Sequence, residues 1–190
     1  MRTPWDQFHK ALLAASLEAV GSVAVQVEVP SQVQAIDLVF EPHSDTADIG
    51  QRAPHLGALA ILIQRSHGPL LLECFSTTPG PVQLDACVRK QLVYHQSLLL
   101  AARRRGQPKP TRRPDKPMLW LTSPGRPRSL LDACAATAMD AMPSGFWHTG
   151  NHQRLAIVVI DELPTTPDTL ILRLMGRRQT LVDAVAEFFR

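Results

Sequence analysis

Two acidic residues interrupt segments that are otherwise apolar: Asp37 within residues 33–41, and Glu73 within Leu70-Leu71-Leu72-Glu73-Cys74-Phe75. An ionised carboxylate in such surroundings is costly unless it is paired with a cation, protonated or bound to a metal ion. A salt bridge to Arg89, Lys90 or Lys10 would satisfy Glu73 with no chemistry attached, whereas the metal-bound alternative would use Asp37 together with Glu73. Other chemistries find less support. His148-Thr149-Gly150-Asn151-His152 has the spacing of a helical metal pair, but Gly150 and Asn151 mark a turn and no third ligand is near, so an exposed loop is expected. His95 reads as a partly buried helix residue. Ser144-Gly145 lacks the context of a hydrolase elbow, and no P-loop or dinucleotide glycine pattern occurs, so no nucleotide or organic cofactor is indicated. Cys74, Cys87 and Cys134 form no C-x-x-C pair and read as reduced core thiols of a cytoplasmic protein.

The elements that must position these residues follow from periodicity. Thr3-Pro4 reads as cap and first residue of a helix with Trp5, Phe8, Leu12, Leu13 and Leu17 at apolar positions, ended by Gly21. Strands at 23–29 and 33–41, separated by Pro30-Ser31, form an expected hairpin, with Ala35, Asp37, Val39 and Glu41 on one face and Ile36, Leu38 and Phe40 on the other. A loop at 42–54, a short helix at 55–65 and a strand buried on both faces at 70–75 come next. The longest helix spans 82–105, with Leu84, Val88, Gln91, Leu92, His95, Leu98, Leu99 and Ala102 as its core-facing stripe. On that stripe Gln91 faces inward, while Lys90 lies about 100° further round. Beyond it are a strand at 118–122, a helix at 129–138, a strand at 155–161, a helix or strand at 169–175 and a helix at 179–189.

The 190 residues give a prior of one domain, and 45% hydrophobic content is enough for a substantial core. The net charge of +3 is unevenly spread: residues 103–116 carry seven basic side chains and one acid, leaving −3 over the rest. Arg103, Arg104, Arg105, Lys109, Arg112 and Arg113 in this Pro- and Arg-rich stretch (103–117) are candidate phosphate contacts, giving nucleic-acid affinity without sequence preference. Residues 1–10 lack a signal-peptide layout, and no apolar run approaches the roughly 18 residues of a membrane helix, so no membrane association is expected.

Asp37 on the second strand, Glu73 on the third and the long helix after it give the order helix, three strands, helix, strand. That order resembles the PD-(D/E)XK nuclease superfamily. The match is narrower in Pro4-Trp5-Asp6, in Gln34-Ala35-Ile36-Asp37-Leu38-Val39-Phe40-Glu41-Pro42 and in the pairing of Glu73 with the Gln91-bearing helix, which look like recombination-promoting nucleases and putative transposases. It covers residues 3–122, with a divergent tail at 123–190 in the same domain. The resemblance implies an α/β fold with a restriction-endonuclease-like core, its mixed central sheet flanked by helices. It further implies Mg²⁺ or Mn²⁺ held by Asp37 and Glu73, with Glu18 in support, for hydrolysis of DNA phosphodiesters. The family pattern has a lysine two residues after the third-strand acid; here Phe75 stands there. Gln91 or Lys90 on the following helix would substitute. The alternative is an inactive binding or scaffold module whose pocket Phe75 closes. Phe146, Trp147, Phe188 and Phe189 are candidates for a homo-oligomer interface under either reading.

Overall fold

The computed structural model describes residues 4–28, 35–43, 48–66, 68–104, 116–150 and 153–189. Its centre is one seven-stranded mixed sheet. In chain order the strands are β1 (Gly21–Glu28), β2 (Ala35–Pro42), β3 (Leu70–Cys74), β4 (Met118–Ser123), β5 (Thr137–Ala138), β6 (Phe146–His148) and β7 (Leu155–Val159). In space they run β1-β2-β3-β4-β7-β6-β5. The middle three, β3, β4 and β7, are parallel, and antiparallel pairs close each side. Burial follows from this: every residue of β3 and β7 is buried, as expected where helices cover both faces of parallel strands.

Helices α1 (Pro4–Leu17) and α3 (Ala58–Ser66) cover one face, where Leu13, Leu17, Leu59, Leu62 and Ile63 pack on Leu38, Phe40, Leu70, Leu72 and Trp120. Between them lies a one-turn α2 (Ile49–Arg52), in a stretch that the sequence marks as loop. On the other face α4 (Pro81–Arg104) and α5 (Arg128–Ala133) bring Leu84, Cys87, Leu130 and Leu131 onto Leu71, Leu119, Leu121 and Ile157. A full Leu burial is worth about 1.5–3 kcal/mol, so these two clusters are the main stabilising terms. Gly21 lets β1 enter closely: a Cβ there would sit 2.1 Å from the Phe40 ring.

The tail extends the same sheet. After β4 the chain makes α5, which stops at Ala133 rather than 138 because Ala135 turns with φ 48° and Ala136 N–H bonds back to Leu131 O. It then returns through the β5–β6 edge hairpin to β7. Residues 167–173 are helical, ending in α6 (Leu170–Arg173), and α7 (Arg178–Phe188) closes the chain. His148 lies in β6, not in a loop, and His152 is outside the described residues. No helix among the described residues is long and apolar enough to cross a membrane.

Candidate functional site

The site forms where β2 parts from β3. The antiparallel register pairs Phe40 with Leu70, Val39 with Leu71 and Leu38 with Leu72; one further step would set Asp37 opposite Glu73. There the ladder stops, and Asp37 Oδ2 accepts the Cys74 N–H at 3.0 Å in place of a backbone carbonyl. On the other side of β2, Gln26 has φ 57° and its amide donates to Asp37 Oδ1 at 3.3 Å. The expected alternation breaks at the same point. Ile36 packs with the α4-facing cluster, while Leu38 and Phe40 pack beneath α1 and α3.

Each acid meets a lysine. Lys90 Nζ donates to both Glu73 oxygens, at 2.8 and 3.0 Å, and both residues are buried. Lys10 Nζ, from α1, lies 2.8 Å from Asp37 Oδ1. Burial pushes the Glu73 carboxyl up to about 7, and the nearby Asp37 charge adds to the rise, while Lys90 and Lys10 oppose it. Two acids and two ammonium groups therefore form one electrostatic unit spanning β2, β3, α1 and α4.

Gln91 faces inward as helix periodicity sets it, but Lys90 is buried as well, and it is Lys90 that reaches Glu73. On the first half of α4 the buried positions are Leu84, Cys87, Lys90 and Gln91, while Val88 is only half-buried and Leu92 is exposed. Gln91 is fully buried, but its amide donates to the carbonyls of Pro117 (2.7 Å) and Arg154 (3.2 Å), bracing the starts of β4 and β7. It holds the sheet together and makes no hydrogen bond with Glu73. Glu18 is exposed just beyond the end of α1, eight residues and about 12 Å of helix rise past Lys10, so it does not join the acids. Phe75 is half-buried and packs with the α4-facing cluster.

Of the basic residues, Arg103 is exposed in the last turn of α4 and Arg104 ends that helix; Arg105, Lys109, Arg112 and Arg113 lie outside the described residues. Phe146 is a core residue and unavailable to a partner, whereas Phe188 and Phe189 at the end of α7 are exposed. Lys10 was legible only as a salt-bridge candidate, yet it shares a helix stripe with Leu13 and Leu17, three and seven residues on.

A hard divalent cation needs as few as one or two protein carboxylates, the remaining positions going to water and substrate phosphate. Asp37 and Glu73 supply that minimum. Their mutual repulsion, visible in the raised Glu73 carboxyl, is what a divalent ion would offset. No group of three or more His, Cys, Asp and Glu side chains suited to a metal ion occurs among the described residues. No protein-family model, curated protein or solved structure matches the chain, so the function must be argued from this geometry.

Proposed function

We propose that the chain is a metal-dependent phosphodiesterase acting on DNA, with a restriction-endonuclease-like core in which Lys90 takes the place of the third-strand lysine. The observation that carries this reading is the buried Lys90 ammonium held on both Glu73 oxygens, beside a second acid, Asp37, across the opening between β2 and β3. The substrate class, DNA, comes from the sequence resemblance.

In this reading Asp37 and Glu73 would hold Mg²⁺ or Mn²⁺, which when bound supplies positive charge at the phosphate and activates water. Asp37 is oriented by the Cys74 N–H and by Lys10, so its position does not depend on a flexible side chain alone. Glu73 must shed its proton, which places full competence above about pH 7. Lys90, released from Glu73 once the acids are otherwise neutralised, would donate to a phosphate oxygen. Phe75 forms an apolar wall where the family pattern has its lysine.

A second reading, a catalytically silent binding module, draws on the same geometry: Lys10 and Lys90 already neutralise both acids. Plasmid cleavage separates the two. In Mg²⁺ or Mn²⁺ the wild type should nick supercoiled DNA, while Asp37→Asn, Glu73→Gln and Lys90→Met should each lose the activity. Wild-type protein that neither cuts nor binds a divalent ion in calorimetry would overturn the enzymatic reading, as would cutting that survives all three substitutions.

A further inference from the structure

The three parallel strands end side by side, and the segments leaving them line an open cavity of about 410 Å³. Thr77 and Thr78 follow β3, Gly125 follows β4, Asp161 follows β7, and Arg177 and Arg178 come from the link into α7. Thr77 is four residues past Glu73, so its Cα lies within about 14 Å of the acid's by chain length alone. The Thr77 end of the cavity therefore lies within that reach of the candidate site.

Its arginines are uncommitted. Arg126 is paired with Glu162 and lies over the Trp147 ring, and Arg173 is buried with bonds to Thr169, Thr166 and Glu187. Arg177 and Arg178 are exposed, and neither guanidinium has a hydrogen bond or ion pair among the described residues. The platform beneath them is anchored, because Arg173 ties α6 to Glu187 of α7 and its carbonyl accepts the Gly176 N–H. The absence of a side chain at position 125 keeps the cavity open: a Cβ there would stand 3.2 Å from Thr78 Oγ1 and 3.4 Å from Asp161 Oδ2.

Two free guanidinium groups select an anion, and threonine hydroxyls add donors. Asp161 is the exception, since a carboxylate disfavours a bare anion but accepts from an amino or hydroxyl group. A nucleotide offers both kinds of group, and the volume falls in the range of small-molecule sites. We propose that this cavity holds one nucleotide of the bound DNA strand, its phosphate on Arg177 and Arg178, beside the Asp37–Glu73–Lys90 site. The inference rests on the proposed nuclease function for the identity of its ligand.

The test measures binding apart from cutting. A fluorescein-labelled single-stranded oligodeoxynucleotide is titrated by anisotropy in EDTA, over a range of salt, with wild type, Arg177→Ala/Arg178→Ala, Gly125→Val and Arg112→Ala/Arg113→Ala. The arginine pair is exposed and unpartnered, so its removal should leave the melting temperature unchanged. Its loss should weaken binding at least about tenfold and lower the salt slope by about 0.7, the contribution of the one phosphate that both arginines hold on a single strand. Gly125→Val, which changes no charge, should weaken binding as well. Wild-type protein that binds no oligonucleotide overturns the inference. So does unchanged affinity in the Arg177/Arg178 double variant, or a loss confined to the Arg112/Arg113 variant. If the Arg177/Arg178 variant weakens while Gly125→Val, folded by its melting curve, binds normally, the arginines act as a surface patch and the cavity assignment falls. Plasmid cutting and divalent-ion binding by the same proteins are scored separately: a wild type that neither cuts nor binds the ion, but whose DNA binding depends on the cavity, refutes the nuclease reading and leaves this one standing.

Discussion

Glu73 makes the fold sensitive to pH in a direction opposite to that of most acids. Its carboxyl has an ordinary value of 4.5 and titrates at about 7 in the folded protein, first because of burial and then because of Asp37. Between those two values the folded chain holds a proton that the unfolded chain has lost. Unfolding free energy therefore falls with rising pH, by about 1.4 kcal/mol per unit where the difference is one whole proton. Over the whole interval this comes to about 3 kcal/mol, fully present below pH 4.5 and gone once pH has passed about 7. The perturbation is Glu73→Gln, which keeps the shape and one of the two acceptors for Lys90 but cannot ionise. Urea unfolding of both proteins from about pH 5 to about pH 8.5 gives the difference in stability at each pH, with titrating groups outside the Asp37–Glu73–Lys10–Lys90 unit cancelling. Wild type should lose about 3 kcal/mol relative to the variant across that span, and Mg²⁺ at the alkaline end should restore part of it in wild type only. Parallel curves would refute the reasoning. They would mean that Lys90 compensates the burial completely and that Glu73 is ionised throughout, as half of a permanently closed ion pair.

The remaining expectations concern the same two strands and the helix above them. Lys90→Met leaves Glu73 without its cation and should cost about 3 kcal/mol at pH 8 and much less at pH 5, measured by urea unfolding; Glu73→Leu/Lys90→Met, which removes both charges, should recover most of the loss. If Lys90 stands in for the missing strand lysine, Phe75→Lys in the Lys90→Met background should restore part of the plasmid cutting, because residues 73 and 75 share a strand face. Gln91→Leu removes the donor to Pro117 O and Arg154 O and should lower stability by about 2 kcal/mol, with the Mg²⁺ affinity of the folded protein unchanged in calorimetry. Burial raises all three cysteine thiols, that of Cys87 to about 12, but only Cys134 is partly exposed, so native protein should show a single thiol that reacts faster than the other two with a disulfide reagent.

The parts of this molecule that local pattern determines could be read in advance, and the parts decided by side-chain reach could not. The β1–β2 hairpin, the doubly buried β3, the long α4, and the strands β4 and β7 all lie within a few residues of where alternation and helical periodicity put them. Strands β5 and β6 escaped because two or three residues carry too short a pattern to be told from the end of a helix, as at 137–138, or from a loop, as at 146–148. Asp37 and Glu73 were legible because each breaks an apolar run, and both breaks fall one residue beyond the last pair of the β2–β3 register. Lys90 and Gln91 were misordered for a physical reason. Helix geometry fixes where a Cβ points, and by that measure Gln91 faces the sheet. It does, and there its amide donates to the Pro117 and Arg154 carbonyls at the starts of β4 and β7. Lys90 starts from the margin of the same face, three residues from the buried Cys87, and its four-carbon stem lets the ammonium reach the Glu73 carboxylate. A short amide is placed by its backbone, whereas a lysine is placed by the charge it can reach. In a buried strand with an acid and no lysine of its own, the cation is therefore to be sought on the covering helix within a stem's length of the core stripe, as much as on the stripe itself.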